Sequence, residues 1–269
     1  MGLISDNLGK IKQVFSNKFY REYFRLYRKH YGQQIQQIAP ASFLHYDINI
    51  VDGSSFVYQY KEIFFSRVYQ FESSNKIPVI FDCGANIGLS CIYFKSLYPE
   101  ARITAFEADP FIAGVLSSNI SKNNLSAITV VAKAVWTNEE SITFYSDNAD
   151  GGNVFGGNAG GTKVNVPTVR LRSMLEQEGT IDFLKMDIEG AEIAVIKDCD
   201  GALSGVDNIF IEYHSFNKTP QGLGEILETL QRNGFRYFIE SATERAMPFI
   251  NKATGEVMDM QLNIFAYKI

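Results

Sequence analysis

The ten residues Val79-Ile80-Phe81-Asp82-Cys83-Gly84-Ala85-Asn86-Ile87-Gly88 constrain this chain more than any other stretch. An apolar run breaks at two glycines, and Leu89 to Tyr98 then takes up helical periodicity. The pattern predicts a buried strand, a tight turn and an amphipathic helix, the opening unit of a parallel sheet. Gly84 and Gly88 let the backbone turn sharply and approach a ligand closely. A dinucleotide-binding turn would read Gly-x-Gly-x-x-Gly, but Asn86 and Leu89 stand where its second and third glycines belong. Asp82 also ends the strand where a pyrophosphate would sit. Its carboxylate repels an anion and suits an ammonium or sulfonium group. The residues therefore favour S-adenosylmethionine over NAD, with Asp82, Gly84, Asn86 and Gly88 as cofactor-binding candidates.

A second strand, Arg102-Ile103-Thr104-Ala105-Phe106-Glu107, ends in an acid nineteen residues beyond Gly88. An acid at that spacing accepts hydrogen bonds from both ribose hydroxyls of an adenosine. The acidic glycine turn and the Glu107-x-Asp109-Pro110 sequence are each weak signals, and together they are specific.

At 269 residues the chain is long enough for one α/β core with room for a small addition. A net charge of −5 provides no global basic field to collect phosphates, which argues against general nucleic-acid binding. Cys83, Cys91 and Cys199 are odd in number and fall inside predicted elements, so they imply neither a disulfide framework nor a metal knuckle. Free thiols fit a cytoplasmic location. Asp6 and Lys10 interrupt any leader-like apolar run, Asp6 spoils a myristoylation signal, and no stretch has the length of a transmembrane helix.

Residues 1–45 read as a helical extension to a domain spanning 46–269. Phe15, Phe19, Tyr23, Tyr27 and Tyr31 recur at helical spacing beside a basic stripe of Lys18, Arg21, Arg25 and Arg28. Two readings stand: a helix packing its aromatic side on the domain, or a contact through residues 10–31 for anionic lipid, a lipid-linked glycan or a partner. Ile48 to Phe71 predicts a hairpin around Asp52-Gly53 and then a helix at Tyr60–Phe64 covering the cofactor.

From Ile77 onward strands and helices alternate, as in a mostly parallel sheet covered on both faces. The predicted strands are 78–82, 102–107, 128–135, 181–187, 208–213, 235–240 and 262–269. Ser141–Ser146 and Lys163–Val169 read as a hairpin, joined by the glycine-rich segment Asp147–Thr162, which reads as a flexible tip or a substrate lid. The run Ile181-Asp182-Phe183-Leu184-Lys185-Met186-Asp187 is a buried strand delivering acids at its carboxyl end. In a doubly wound sheet, Asp82, Glu107, Asp187 and the end of Ile209-Phe210-Ile211-Glu212-Tyr213-His214 should converge. Lys185 reads as a structural ion pair and Glu192 as a solvated or capping acid.

Taken in order, Phe-Asp-Cys-Gly-Ala-Asn-Ile-Gly (81–88), Ala-Phe-Glu-Ala-Asp-Pro (105–110), Lys-Ala-Val-Trp (133–136), Phe-Leu-Lys-Met-Asp-Ile-Glu-Gly-Ala-Glu (183–192) and Ile-Glu-Tyr-His (211–214) resemble the FkbM family of S-adenosylmethionine-dependent methyltransferases. The match runs from about residue 50 to the C-terminus. It implies a class I, Rossmann-like doubly wound α/β fold with seven strands and a reversed last pair, Arg236–Glu240 with Asn263–Tyr267. It also implies Ala108 and Ala134 beside the cofactor, and transfer to a hydroxyl of a sugar, glycan or secondary metabolite. The Asn/Asp-Pro-Pro-Tyr/Phe signature of enzymes that methylate amines and bases is replaced here by Asp187-Ile188-Glu189-Gly190, which disfavours a nitrogen acceptor.

A sugar hydroxyl does not ionise at neutral pH, so a base must take its proton as the bond forms. Asp187, Glu189, Glu212 and His214 are the candidates, with His214 favoured for its titration range. Alternatively, Asp187 and Glu212 share a divalent cation that acidifies the hydroxyl. Two other functions compete: a dehydrogenase, disfavoured by Asp82 and the missing glycines, and a non-catalytic cofactor-binding or interaction protein, disfavoured by the acids.

Overall fold

A computed structural model describes residues 17–33, 35, 37–146, 162–217, 219–242, 245–252 and 258–269. Helix α1 (Lys18–His30) leads into a hairpin of β1 (Ala39–Phe43) and β2 (Tyr46–Ile50), then helix α2 (Gly53–Tyr60), which runs on as a π-helical segment, Lys61–Ser66. Next come β3 (Val79–Cys83), α3 (Leu89–Leu97), β4 (Arg102–Phe106), α4 (Pro110–Lys122), β5 (Ile128–Val131), β6 (Ala134–Trp136), β7 (Ser141–Ser146) and β8 (Thr162–Arg170). The chain closes with α5 (Leu171–Glu178), β9 (Ile181–Met186), α6 (Glu192–Asp198), β10 (Val206–Phe216), α7 (Leu223–Arg232), β11 (Arg236–Ser241) and β12 (Met258–Tyr267).

The central sheet has the order β11-β12-β10-β9-β3-β4-β5. Its strands are parallel except β12, which lies antiparallel between β10 and β11. This is the expected seven-stranded class I arrangement with its reversed pair. Because β4 and β5 extend one way from β3 while β9 and β10 extend the other, the order reverses between β3 and β9. Ligands bind outside the strand carboxyl ends at such a switch point. Every residue of β9 is buried, as a central parallel strand requires. One apolar cluster, with Ile80, Ile103, Phe94 and Phe210, packs one face; another, with Phe81, Leu184, Val195 and Ile211, packs the other.

Four expectations are corrected. The predicted strand 128–135 is two strands: a turn in which Lys133 N–H bonds Val131 C=O at 2.8 Å redirects the chain, and β6 pairs with β8 in a separate sheet of order β6-β8-β7. The hairpin turn falls at Leu44-His45, not Asp52-Gly53. Asp52 instead caps α2 by accepting from Ser55 N–H at 2.7 Å, and a Cβ on Gly53 would sit 2.2 Å from His30 O. The helix expected at Tyr60–Phe64 starts earlier, at Gly53. Finally, the β1–β2 hairpin straddles the boundary placed at residue 45, while α1 packs on the domain as one of its two readings had it, with Leu26 fully buried among Phe43, Phe56 and Tyr60 and with Phe19 and Tyr23 against the same cluster. The hairpin expected between Ser141 and Val169 forms as β7 and β8. Phe15 and the glycine-rich stretch 147–161 lie outside the described residues.

Candidate active site

The strand end at β3 is held against β9 so tightly that Gly84 tolerates no side chain. Its φ is +83°, and a Cβ there would lie 1.8 Å from Asp187 O. The N–H groups from Gly84 to Gly88 are all donated internally: Gly84 and Ala85 to Phe106 O, Asn86 to Glu107 Oε2, Ile87 to its neighbour Asn86 Oδ1, and Gly88 to Ala85 O. A turn with no N–H to spare cannot cradle a pyrophosphate, which is the structural counterpart of the missing glycines.

Beside this turn lies a cavity of about 590 Å³, a volume typical of small-molecule sites. Gly84, Asn86, Glu107, Ala108, Ala134, Asp187, Glu189 and Glu212 line it, whereas Asp82, Gly88 and His214 do not. Gly88 serves packing: at φ +94° it starts α3, and a Cβ would meet Leu116 at 2.6 Å. Asp82 is fully buried behind the turn, accepting from Ser90 Oγ at 2.5 Å. Asp82 therefore acts on the cavity indirectly, through Lys185.

That lysine is more than the expected ion pair. Lys185 Nζ donates to Gly84 O at 2.7 Å and lies 3.3 Å from Asp187 Oδ2 and 3.6 Å from Asp82 Oδ1. Burial opposes its charge, but Asp187, Tyr69 and Asp82 outweigh burial and hold its pKa well above the usual value. Lys185 thus ties the ends of β3 and β9 together and faces the cavity itself.

At the end of β4, Glu107 accepts from Asn86 N–H and Asp109 N–H, each at 2.9 Å. Burial raises its pKa to about 7 against the opposing pull of those two bonds. Each oxygen keeps a second lone pair, and Glu107 lines the cavity, as a ribose contact needs. Ala108 and Ala134 form a small apolar wall there with Ile142.

On the opposite side, the β9–α6 turn carries Glu189 in a left-handed conformation, φ +53°. Glu192, expected to be a solvated or capping acid, is completely buried. Its Oε1 accepts from Ile188 N–H at 3.2 Å and Gly190 N–H at 3.1 Å, and lies 3.2 Å from His214 Nδ1. His214 Nε2 faces Glu189 at 3.7 Å and Glu212 at 3.9 Å. Burial disfavours a charged imidazole, but Glu189, Glu192 and Asp187 outweigh it, and its pKa lies well above the ordinary histidine value. That direction favours the imidazolium, which has no lone pair to offer. Burial pushes Glu189 well above the carboxylate range, against the pull of His214, and pushes Glu212 to about 7.

One oxygen each of Asp187 and Glu212 and one nitrogen of His214 lie within 4.8 Å of one another. A divalent cation there would compete with Lys185, 3.3 Å from Asp187, and with the carboxylates that face both His214 nitrogens. The Gln261, Asn263 and Glu240 side chains, which also line the cavity, were missed in the sequence. They look like ordinary polar positions until strand register places them.

The FkbM methyltransferase domain family matches residues 82–237. Methyltransferase sdnD of Sordaria araneosa is 32% identical over 178 residues, covering 52% of this chain and 68% of that one. The 31-O-demethyl-FK506 methyltransferase FkbM of Streptomyces tacrolimicus is 24% identical over 227 residues, covering 71% and 85%. The 2-O-methyltransferase NoeI of Sinorhizobium fredii is 28% identical over 155 residues, covering 51% and 63%. With its sheet order, its acidic glycine turn and a family match over more than half its length, the chain belongs to the FkbM family of S-adenosylmethionine-dependent methyltransferases.

Proposed function

We propose that the chain transfers a methyl group from S-adenosylmethionine to a hydroxyl oxygen of a sugar, glycan or secondary metabolite, with Glu212 or Glu189 accepting the hydroxyl proton. The observation that carries this is the pair of carboxylates Glu189, on the turn after β9, and Glu212, on β10 just past its pairing with β9, which line the cavity together with Glu107. When bound, the donor supplies an electrophilic methyl on a sulfonium. Glu107 accepts from the ribose hydroxyls, and Asp187 with the Gly84 turn offers the carboxylate and carbonyls that suit the ammonium. Holding acceptor and donor in line supplies roughly 7–11 kcal/mol.

The direct role expected for His214 passes to the carboxylates in front of it. A base titrating at about 7 is half ionised at neutrality. Turnover should then rise with pH through that region and level off above it. Glu212→Gln should lower kcat by about 10²–10⁴ with donor affinity unchanged. Full activity in Glu212→Gln and in Glu189→Gln, measured by labelled-methyl transfer, would exclude both as the base. A second reading, in which Asp187, Glu212 and His214 hold a divalent cation, is favoured only by their proximity. If it holds, exhaustive chelation abolishes activity and magnesium restores it.

The buried thiols of Cys83, Cys91 and Cys199 support a cytoplasmic setting. Among the described residues no helix is long and apolar enough to cross a membrane. The stripe on α1 supports a peripheral contact with anionic lipid or a lipid-linked glycan. Arg25 is engaged by Glu22 and Ser42 O and Lys18 lies over the Phe19 ring, while Arg21 and Arg28 line a surface recess with Tyr20 and Phe24, and the exposed Tyr27 and Tyr31 stack on each other. Charge reversal at Arg21 and Arg28 should abolish co-sedimentation with anionic vesicles; undiminished binding would leave the helix purely structural.

A further inference from the structure

The antiparallel insertion of β12 gives the cavity a floor that no single motif encodes. Glu212 pairs across β12 with Asn263, and Asn263 pairs in turn with Glu240 on β11. Residues paired across strands share a face, so the three side chains form one row. At about 4.8 Å per strand the row spans roughly 10 Å. Two positions along each strand, Phe210, Phe265 and Phe238 make a parallel aromatic row, with ring centroids 5.3 and 6.1 Å apart. Two positions the other way, His214 pairs with Gln261, whose Nε2 donates to Glu212 Oε1. Phe210, Glu212, Glu240, Gln261 and Asn263 all line the cavity. The Oδ1 of Asn263 is buried with no hydrogen-bond partner among the described residues.

Acceptor oxygens dominate this floor: the His214 ring lies 3.9 Å from Glu212, and among the described residues no cation pairs with Glu240. Lys185 lies between Asp187 and Asp82, and Lys61 is 3.3 Å from Glu62. Lys133 also lines the cavity, but it follows β5, at the opposite edge of the sheet from β11. We infer that the Glu212–Asn263–Glu240 row is the acceptor subsite and that it selects an uncharged polyhydroxylated ring, excluding its carboxylated or phosphorylated counterparts. Ring hydroxyls donate to both carboxylates and to Asn263 Oδ1, while the apolar ring face meets Phe210. An anionic ring would place like charges together in a partly desolvated site, a strong source of discrimination. This deepens the O-methyltransferase reading and rests on it for the role of the cavity.

Saturation-transfer NMR tests the row, using methyl glucoside and methyl glucuronide as probes on the full chain, with and without S-adenosylhomocysteine. The glucoside should receive saturation and the glucuronide should bind at least tenfold more weakly. Glu240→Gln exchanges a charged acceptor for a neutral one and should weaken glucoside binding by roughly tenfold. Glu240→Lys should reverse the preference. Equal binding of the two probes, no binding of the glucoside, or an unchanged preference in Glu240→Lys would overturn the assignment. Calorimetric titration of the same samples with S-adenosylhomocysteine separates the two readings: lost donor binding refutes the methyltransferase role, while the probe comparison still decides the row.

Discussion

Glu107 offers a quantitative test of the cofactor site, because its geometry and its titration must agree. Its oxygens already accept from Asn86 N–H and Asp109 N–H at 2.9 Å, yet burial holds its pKa at about 7. Ribose hydroxyls donate to the ionised form, so donor affinity should track the ionised fraction. That fraction is about one half at pH 7, about one tenth at pH 6 and about one hundredth at pH 5. S-adenosylhomocysteine affinity, measured by calorimetry, should therefore fall about tenfold per pH unit below 7. Over that range the ligand's own amine stays protonated. Near pH 6, binding should release close to one proton, detectable in buffers of different ionisation enthalpy. Glu107→Gln should abolish the slope, and Glu107→Ala should weaken binding by at least about 10²-fold at pH 8, from two charge-assisted bonds of about 1.5–3 kcal/mol each. The linkage also fixes a stability sign. A carboxyl whose folded pKa exceeds its unfolded value of 4.5 takes up a proton on folding, so the free protein loses stability as pH rises from about 4.5 to about 7. Glu107→Gln should then melt higher than the parent at pH 8 and lose that advantage near pH 5. A flat affinity profile in the parent protein, or the same slope in Glu107→Gln, would refute the reasoning.

Two further substitutions probe the frame that holds the site. Gly84→Ala forces a left-handed φ and a Cβ 1.8 Å from Asp187 O, so the ends of β3 and β9 must part and the Asp187 N–H to Cys83 O bond is lost. The expected loss is roughly 3–5 kcal/mol, or about 6–20 °C in Tm, with donor binding abolished; a melting curve within 2 °C or so of the parent would contradict it. Glu192→Ala orphans Ile188 N–H and Gly190 N–H and leaves His214 facing only Glu189 and Glu212. Breaking a buried charge pair costs about 3–5 kcal/mol. His214 has a raised folded pKa, so its pairing contributes fully below about 6.5 and is lost as pH rises through the folded value. The Tm deficit of Glu192→Ala should accordingly shrink in alkaline buffer, and a pH-independent deficit would argue against the charge.

Much of the fold was legible because parallel sheets write themselves as apolar runs punctuated by glycine. Ile181–Met186, buried at every position, was readable for that reason, as was the β3 turn with its acid. The departures came from contacts distant in sequence. Gly53 looked like a hairpin turn, but its lack of a side chain answers His30 O. The strand predicted at 128–135 begins in the β-prone Ile128–Val131 and continues through Ala132-Lys133-Ala134 without a Gly or Pro, and its partnership with β8 shows where one sheet stops and another starts. Propensity sees the run and not the partner.

The site divides along the same line. Residues that act through their place at a strand end, such as Glu107 and Glu212, could be found from spacing. Residues that act through depth could not. Asp82, Glu192 and His214 lie behind the cavity wall, and one Lys185 ammonium joins Asp82 to Gly84 O and Asp187. From the sequence, His214 looks like a neutral imidazole ready to accept a proton. Three glutamates and Asp187 around it, with Glu189 on the β9–α6 turn, Glu192 opening α6 and Glu212 on its own strand, reverse that by favouring its charged form. The same imidazolium in turn opposes the burial that raises Glu189 and Glu212, holding those two carboxyls closer to neutrality than burial alone would. His214 is then a positioning residue whose charge keeps a usable base in front of it. On that argument, a neutral replacement such as His214→Gln should move the acid limb of the turnover profile to higher pH rather than erase it, since the proton acceptor itself remains in place.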